Sequence, residues 1–412
     1  MTFTTYLPRL KWQNAAPWFI AGCICLCSLF FAQSSHRLVV DEVAHLPQIQ
    51  WFMEGRWELR QGLAMLPGYH LLVAALAALL GLDVEGMRAT GVLFGLSAAC
   101  AFYGIRRHLR DTHAIRSAAL FFFLPVLYPY YFLIYTDVLS LALVLWALWS
   151  TLKSRHWLSA CLLTASVFVR QNNVIWAGLL PAIAFWPELK AMVESRCMPA
   201  ALRLVHKSMP YGVPVLLFAL YWMWNGSISL SRNVAAGHPD LTIHTGNLYY
   251  AVFLCLLLFP VEACKGLRDF LASVKRMPWL VLLPLLLAFG GKIKGSPDNY
   301  AFTDYYVRNA MIEAIRHGGW PRWLFSVLTA LAACGLSRTR FLHAQGWLIY
   351  PFACVYLGSS WLIEGRYAII PLAIWMAFRV NAPDREEKIT LCCWAAVSTL
   401  LGWIIFTGRL ML

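Results

Sequence analysis

Charged side chains are scarce in this sequence of 412 residues. Asp, Glu, Lys and Arg together make up 13% of the chain, whereas hydrophobic residues make up 60% and aromatic residues 15%. The mean hydropathy is +0.61. Soluble globular domains carry about 25% charged residues. This composition therefore excludes a water-soluble domain and predicts a protein embedded in a lipid bilayer.

Acidic residues are the scarcer of the two charged kinds. The chain has 20 Asp and Glu against 34 Lys and Arg, which gives a formal net charge of +14. An excess of this size can indicate nucleic-acid binding, but the basic residues form short clusters beside apolar runs and no contiguous basic domain. The positive-inside rule explains that placement, so no nucleic-acid partner is predicted.

The sequence has no CxxC pair, although it contains 12 cysteines. Most of them, such as Cys23, Cys161 and Cys354, lie inside apolar segments. Neither a disulfide framework nor a metal site is predicted from this pattern, and no cofactor is expected. Linkers, low-complexity stretches and internal repeats are also lacking, so residues 1–412 are predicted to form a single membrane domain.

Apolar runs of roughly 15 to 20 residues alternate with basic clusters, which is typical of a polytopic helical membrane protein. Arg9 and Lys11 precede the first apolar segment, Trp18–Ala32, which has no convincing cleavage site and is interpreted as a retained helix. The N-terminus is therefore predicted to be cytoplasmic. Following the basic clusters along the chain predicts an all-α bundle of about thirteen transmembrane helices with an external C-terminus.

The first outer loop, residues 34–66, is predicted to be amphipathic. Its aromatic stretch, Trp51–Trp57, suits a helix that lies on the membrane surface. An odd number of crossings is needed between this loop and Arg106, yet two apolar runs follow it, Leu66–Leu82 and Thr90–Ile105. We expect the first run to lie in the interface or to enter the bilayer only partway.

Most acidic residues outside the basic loops fall on the predicted outer face. An ionisable group costs about 2.5 to 3.5 kcal/mol at the centre of a transmembrane helix, so this clustering indicates a functional site. The alternative is that outer loops are simply hydrated and polar. The ionisable residues on this face are Asp41, Glu42, Asp137, Asp240, Asp298, Asp304, Glu364, Arg170, Arg232, Arg366, His45, His238 and His244.

Asp41 and Glu42 follow the predicted first helix closely. A carboxylate fixed just above the bilayer could accept the proton of an attacking hydroxyl group. Arg170 and Arg366 lie next to apolar helices at the same predicted depth, where a guanidinium could bind two oxygens of a lipid-borne phosphate. The alternative for Arg366 is snorkelling, in which a terminal arginine merely reaches the interface.

Five blocks of the sequence, in chain order, resemble one known family. They are Asp41-Glu42-Val43-Ala44-His45-Leu46-Pro47-Gln48 with Glu54-Gly55 and Leu66-Pro67-Gly68, Tyr135-Thr136-Asp137, Arg170-Gln171-Asn172-Asn173 with Ile175-Trp176, Asp298-Asn299, and Glu364-Gly365-Arg366-Tyr367 with Pro371. Together they resemble the eukaryotic dolichyl-phosphate-glucose-dependent alpha-1,2-glucosyltransferases, which complete the lipid-linked oligosaccharide. The first, third and last blocks are the specific ones.

The resemblance implies a GT-C membrane glycosyltransferase whose first outer loop carries the catalytic acid. The chain is interpreted as a compact version of it, for which a bacterial source is one alternative. It implies that Asp41 is the base and Glu42 a supporting acid, and that Arg170 and Arg366 contact the donor phosphate. Tyr300-Ala301 follows Asp298-Asn299 where the family has Arg-His, so acceptor choice does not transfer with the resemblance. The remaining implied substrate-binding residues are His45, Gln48, Tyr135, Asp137, Gln171, Asn173, His238, His244, Asp298, Asn299, Glu364 and Tyr367.

The sequence therefore predicts inverting, metal-independent transfer of a hexose, glucose by default, from a polyprenyl- or dolichyl-phosphate donor. The acceptor would be a saccharide or glycolipid at the periplasmic face of a bacterial inner membrane or the lumenal face of the endoplasmic reticulum membrane. Two alternatives remain open: a transporter or flippase of lipid-linked saccharides, and a polymerase or ligase that uses a polyprenyl-diphosphate donor. A transporter should place polar residues at mid-membrane depth, whereas this sequence gathers them at one face.

Overall fold

A computed structural model shows a helical chain. The structure describes residues 38–39, 41–195, 198–230, 243–290, 319–360 and 362–406, together with Ile312 and Ile315. Over these ranges there is no β-strand, and only an isolated antiparallel bridge joins Phe341 to Arg379. The predicted all-α class is confirmed for this part of the chain.

The α-helices of the described ranges are numbered here in chain order. They are α1 Glu42–Met53, α2 Gly68–Leu80, α3 Val84–His108, α4 Ala114–Phe122, α5 Thr136–Leu152, α6 His156–Val169, α7 Trp176–Ala184, α8 Trp186–Ser195, α9 Met198–Asn225, α10 Thr245–Leu258, α11 Pro260–Val274, α12 Leu282–Gly290, α13 Gly319–Leu336, α14 Ile349–Gly358, α15 Ile369–Phe378 and α16 Asp384–Phe406. Short 3-10 turns include Tyr128–Phe132, Gln171–Ile175 and Gly365–Ala368.

Two of these helices, α3 and α16, are long and apolar enough to cross a membrane. Two further stretches qualify only as bent pairs, Gln171–Ala184 with Trp186–Glu194 at 81° and Thr245–Leu258 with Pro260–Val274 at 105°. The described residues therefore hold two candidate spans, or four if each bent pair is one span. The predicted count of about thirteen is not confirmed, and the predicted first helix, Trp18–Ala32, lies outside the described residues.

The apolar run Leu66–Leu82 forms the short helix α2. Its 13 residues reach about 20 Å at 1.5 Å per residue. The hydrocarbon core of a bilayer is about 30 Å thick, so α2 is too short to cross it alone. Its length agrees with partial insertion, which stays a prediction.

The first outer loop differs from the amphipathic surface helix predicted for Trp51–Trp57. Helix α1 ends at Met53, and Gly55 turns the chain away with a φ of 76°, so Trp57 lies beyond the helix. The buried side of α1 carries the polar residues Glu42, His45 and Gln48. These side chains are buried because they form hydrogen bonds within the protein, as described below.

Helix α3 is the long element that the site is built around. Asp83 caps its start by accepting a hydrogen bond of 2.8 Å from Gly86 N, and Arg106, Arg107 and His108 occupy its last turn. Both features complement the helix dipole. At Gly91 an added Cβ would lie 2.7 Å from the carbonyl oxygen of Tyr131. The segment Tyr128–Phe132 can therefore lie directly against α3, which brings the residues after it to the site.

Candidate active site

Asp41 lies immediately before α1 and makes two contacts with distant parts of the chain. Its backbone N–H donates to the Tyr135 hydroxyl at 2.9 Å, and its Oδ2 accepts from Arg366 Nη1 at 2.6 Å. The Asp41 side chain remains 23% exposed. The structure thus joins the first predicted block to the last, with a carboxylate that stays accessible.

Glu42 is fully buried and lies in a different environment from its neighbour. Its two carboxylate oxygens accept from Arg88 Nε at 2.9 Å and Arg88 Nη2 at 2.6 Å. They also accept from the backbone N–H groups of Val39 at 2.8 Å and Ile134 at 2.9 Å. A carboxylate bonded in this way stabilises the surrounding backbone and is poorly placed to accept a substrate proton. Glu42 therefore fits a positioning role for Asp41.

Arg88 is a residue that the sequence analysis missed. Among the described residues, Arg88 is the one that forms an ion pair with Glu42, and its side chain is 2% exposed. A signal was present in the sequence, because an arginine that begins an otherwise apolar helix needs a counter-charge if it is buried.

We expect Arg88→Met to lower the free energy of unfolding by about 3 to 5 kcal/mol, because it leaves the buried Glu42 carboxylate without its counter-charge. Arg107→Met is the matched control, since Arg107 lies on the same helix with an exposed side chain. Thermal unfolding of the detergent-purified variants measures both. Equal destabilisation by the two substitutions would show that the Glu42–Arg88 pair has no special importance.

Arg366 is buried among carboxylates and tyrosines. Besides its hydrogen bond to Asp41, it forms an ion pair with Glu364 in which Nε does not donate a hydrogen bond. Its guanidinium carbon lies 5.8 Å from the ring centroid of Tyr135 and 5.5 Å from that of Tyr367. Snorkelling is therefore not the explanation for Arg366, because its side chain is only 8% exposed.

Arg170 approaches the same tyrosine. It lies between α6 and the turn Gln171–Ile175, forms an ion pair with Asp137, and places its guanidinium carbon 5.4 Å from the Tyr367 ring centroid. Asp137 Oδ2 is buried and accepts no hydrogen bond within the described ranges. Tyr367 thus links the two arginines, and an unused buried acceptor lies beside them.

His45, on α1, packs between α2 and Tyr135. Its Nδ1 lies 2.9 Å from His70 Nε2, and its ring centroid lies 5.7 Å from that of Tyr135. Burial lowers the pKa of His45 to about 4, and the Asp41 carboxylate offsets this only in part. The His45 imidazole is therefore neutral at neutral pH. In its hydrogen bond with His70, one ring nitrogen donates its proton and the other accepts it.

Asn247, at the start of α10, is another residue that the sequence analysis did not assign to the site. Its Nδ2 donates to the carbonyl oxygens of Ser360, at 2.8 Å, and Leu362, and its Oδ1 accepts from Glu364 N at 3.1 Å. These bonds hold the segment that leads to Arg366. His244, one turn earlier, donates its backbone N–H to Gly358 O at 2.9 Å.

Three predicted substrate-binding residues hold backbone segments together. Gln48 donates to Glu58 O at 3.0 Å and accepts from Arg60 N at 2.7 Å. Gln171 donates to the carbonyl oxygens of Ala64 and Ile228, at 2.8 and 3.1 Å. Asn173 donates to Ser140 Oγ at 2.7 Å. Their amides position the loops around the site. The predicted residues His238, Asp298 and Asn299 lie outside the described residues.

The site can therefore hold an anionic group and accept a proton. Two buried guanidiniums flank Tyr367, and the partly exposed carboxylate of Asp41 lies next to Arg366. In the described ranges, no group of three or more His, Cys, Asp or Glu side chains could hold a metal ion. The chemistry available to these side chains is proton transfer together with stabilisation of a negative charge.

Comparison with known proteins places this geometry in context. The model of the DIE2/ALG10 family matches residues 35–377. A rat protein named Dol-P-Glc:Glc(2)Man(9)GlcNAc(2)-PP-Dol alpha-1,2-glucosyltransferase is 24% identical over 94% of this chain and 93% of its own length. A human protein of the same name is 26% identical over the same shares. A solved structure of ArnT from Cupriavidus metallidurans bound to undecaprenyl phosphate has 14% identity and a TM-score of 0.40, with coverage of 96% of this chain and 77% of that one. A likeness at that score supports no conclusion about ligands.

Proposed function

This chain belongs to the DIE2/ALG10 family, and from that membership and the site geometry we propose that it transfers glucose from a polyprenyl- or dolichyl-phosphate donor to a saccharide or glycolipid. That it is a membrane glycosyltransferase follows from its relatives, which are named alpha-1,2-glucosyltransferases and match over most of its length. The donor, the acceptor, inversion at the anomeric carbon and the periplasmic or lumenal location of the site are the proposal. The hydrogen bond between Asp41 and Arg366 is the observation that carries it.

The proposed reaction is a single displacement. The acceptor oxygen forms a bond to the anomeric carbon while its proton passes to Asp41, which acts as general base. The bond between the anomeric carbon and the phosphate oxygen breaks, and the lipid phosphate leaves with the electron pair. Attack opposite the leaving group inverts the configuration.

Negative charge grows on the leaving group in this step. The donor phosphodiester carries one negative charge, whereas the departing lipid phosphate monoester carries up to two. Arg170 and Arg366 supply guanidinium groups that stabilise the added charge more strongly in the transition state than in the bound donor. The buried Asp137 Oδ2, which has an unused acceptor position, could accept a hydrogen bond from a sugar hydroxyl.

Arg366 also gives Asp41 a ligand-dependent role. The guanidinium donates a hydrogen bond of 2.6 Å to the Asp41 carboxylate. A donor phosphate would compete for the same guanidinium, so donor binding would weaken the bond to Asp41 and leave its carboxylate more accessible to the acceptor hydroxyl.

The competing functions fit less well. A polymerase or ligase would use a diphosphate donor, whereas the relatives are named for Dol-P-Glc, a monophosphate donor. A transporter should have charged groups at mid-membrane depth. On α3 the buried arginines lie instead near the two ends, at Arg88 and Arg106.

A donor assay tests the proposal. Purified protein in nanodiscs receives radiolabelled polyprenyl-phosphate glucose, polyprenyl-diphosphate glucose or UDP-glucose, each with a glycolipid extract as acceptor. We expect a new labelled glycoside with the monophosphate donor, and its anomeric linkage should be opposite to that of the donor. Product from the diphosphate donor alone would favour the polymerase or ligase, and movement of lipid-linked sugar without any new glycoside would favour the transporter.

A further inference from the structure

A cavity of about 490 Å³ lies at the ends of α3 and α15 that are remote from Asp41. Helix α15 follows the Arg366 turn, and its last residues lead to Arg379, which lines the cavity. On α3, Arg88 pairs with Glu42 near one end, while Arg106 near the other donates to the carbonyl oxygen of Arg379 at 2.6 Å. The stretch of α3 between these two arginines spans about 27 Å. That is close to the thickness of a bilayer core, so the cavity faces the opposite leaflet from the candidate active site.

On the inner wall of the cavity, Arg379 packs against two aromatic rings and pairs with two carboxylates. Arg379 lies 5.0 Å from the Phe259 ring centroid and 5.8 Å from that of Trp375. Two carboxylates, Glu262 at 2.7 Å and Glu387 at 2.8 Å, neutralise its charge. Arg379 is thereby used within the fold against two buried rings, and the half-buried Leu256 and Leu336 are left to contact an apolar ligand.

The rim of the cavity carries two arginines whose charge no carboxylate of the described ranges neutralises. Arg268 and Arg338 line the cavity, and neither forms an ion pair with a carboxylate of the described residues. Arg338 Nε is buried there without a hydrogen-bond acceptor. Arg340 approaches Asp269 only at 3.8 Å, and both of those side chains are exposed. An anion at the rim would therefore meet at least two available guanidiniums.

The two arginines are fixed relative to each other by a close helix crossing. An added Cβ at Gly335 would lie 2.6 Å from the carbonyl oxygen of Ala263, so α11 and α13 touch backbone to backbone. Arg268 follows that contact on α11, and Arg338 follows it just after α13. Helices α10 and α11 meet at a bend of 105°, and residues on both sides of this bend line the cavity.

We propose that this cavity binds the phosphate headgroup of a membrane phospholipid from the leaflet opposite the candidate active site. Arg268 and Arg338 contact the phosphate, and an acyl chain lies along Leu256 and Leu336. A free phosphate ion would use the same guanidiniums but would leave the apolar wall unfilled. Basic pockets between membrane helices bind lipid headgroups in this way, and the mixed lining favours a lipid.

Lipid binding to the full-length protein in detergent tests this proposal without any activity measurement. The probes are labelled phosphatidylglycerol, diacylglycerol with the same chains but no phosphate, and inorganic phosphate as competitor. We expect Arg268→Gln with Arg338→Gln to weaken phosphatidylglycerol binding about tenfold or more, since each cation near a lipid surface contributes about 1 kcal/mol. Lys275→Gln with Arg276→Gln is the matched control, because it removes two exposed charges from the end of α11 that do not line the cavity.

Each possible result either supports or contradicts a lipid site in this cavity. A lipid site is supported if phosphatidylglycerol binding is lost only in the variant that carries Arg268→Gln and Arg338→Gln. Diacylglycerol should then not bind, and inorganic phosphate should not displace the lipid. Equal loss in both pairs would show general attraction by a basic surface. Displacement by inorganic phosphate would show a site for a free anion, and unchanged binding in the first pair would place the lipid elsewhere. If the double variant unfolds, the single substitution Arg268→Gln, at an exposed side chain, should still weaken phosphatidylglycerol binding about threefold or more.

Discussion

Asp41→Asn is expected to abolish glucosyl transfer while the protein stays folded. The amide keeps the size of the side chain but cannot accept a proton at neutral pH. Loss of a general base costs about 10² to 10⁴ in rate. Single-turnover transfer from polyprenyl-phosphate glucose in nanodiscs measures the change, with thermal unfolding as the check on folding.

Glu58→Gln is the matched control for Asp41→Asn. It makes the same chemical change in the same loop, and the Glu58 side chain is exposed. Transfer should be unchanged there. If Asp41→Asn retained wild-type turnover, Asp41 would not be the base, and another carboxylate of the site, such as Glu364 or Asp137, would have to take that role.

Arg366→Gln is expected to lower turnover by about 10² to 10³, the effect typical of removing one donor that stabilises a developing negative charge. The loss should appear mainly in kcat, because the charge on the phosphate is largest in the transition state. Arg366→Lys should recover only part of the rate, since lysine keeps the charge but lacks the planar pair of donors. Steady-state kinetics with the monophosphate donor separate kcat from KM.

Arg56→Gln provides the control for Arg366. Arg56 is exposed and forms its ion pair with Glu54, outside the site. Its kinetics should match those of the wild type. A change confined to KM in both Arg366 variants would assign Arg366 to donor binding alone and would contradict a role in stabilising the leaving group.

The pairing of Asp41 with Arg366 was predictable, whereas the division of labour between Asp41 and Glu42 was not. The sequence shows two adjacent carboxylates, and α1 directs them to different environments. Glu42 points towards Arg88 and two backbone N–H groups, and Asp41 towards Arg366. This difference depends on which residues pack against each carboxylate in the folded protein. The order of residues in a single sequence does not reveal those neighbours.

Two glutamines show a second limit on predicting side-chain contacts from sequence. Gln48 and Gln171 lie inside motif blocks, so the sequence predicts that they contact substrate. In the structure their amides bind carbonyl groups of neighbouring loops. An amide can serve a ligand or a backbone equally well. The number of membrane-spanning helices is also hard to predict from sequence. Hydropathy marks apolar segments but not the bends that divide them, such as the bend between α10 and α11.

Asp41 and Arg366 are separated by 325 positions along the chain. A ribosome makes the proposed proton acceptor long before its cationic partner, so a nascent chain carries the first half of the proposed chemistry before the second. A chain that stops short of Arg366 lacks this guanidinium, so it should transfer glucose no faster than Arg366→Gln. Full turnover in the membrane would thus report that synthesis has passed Arg366.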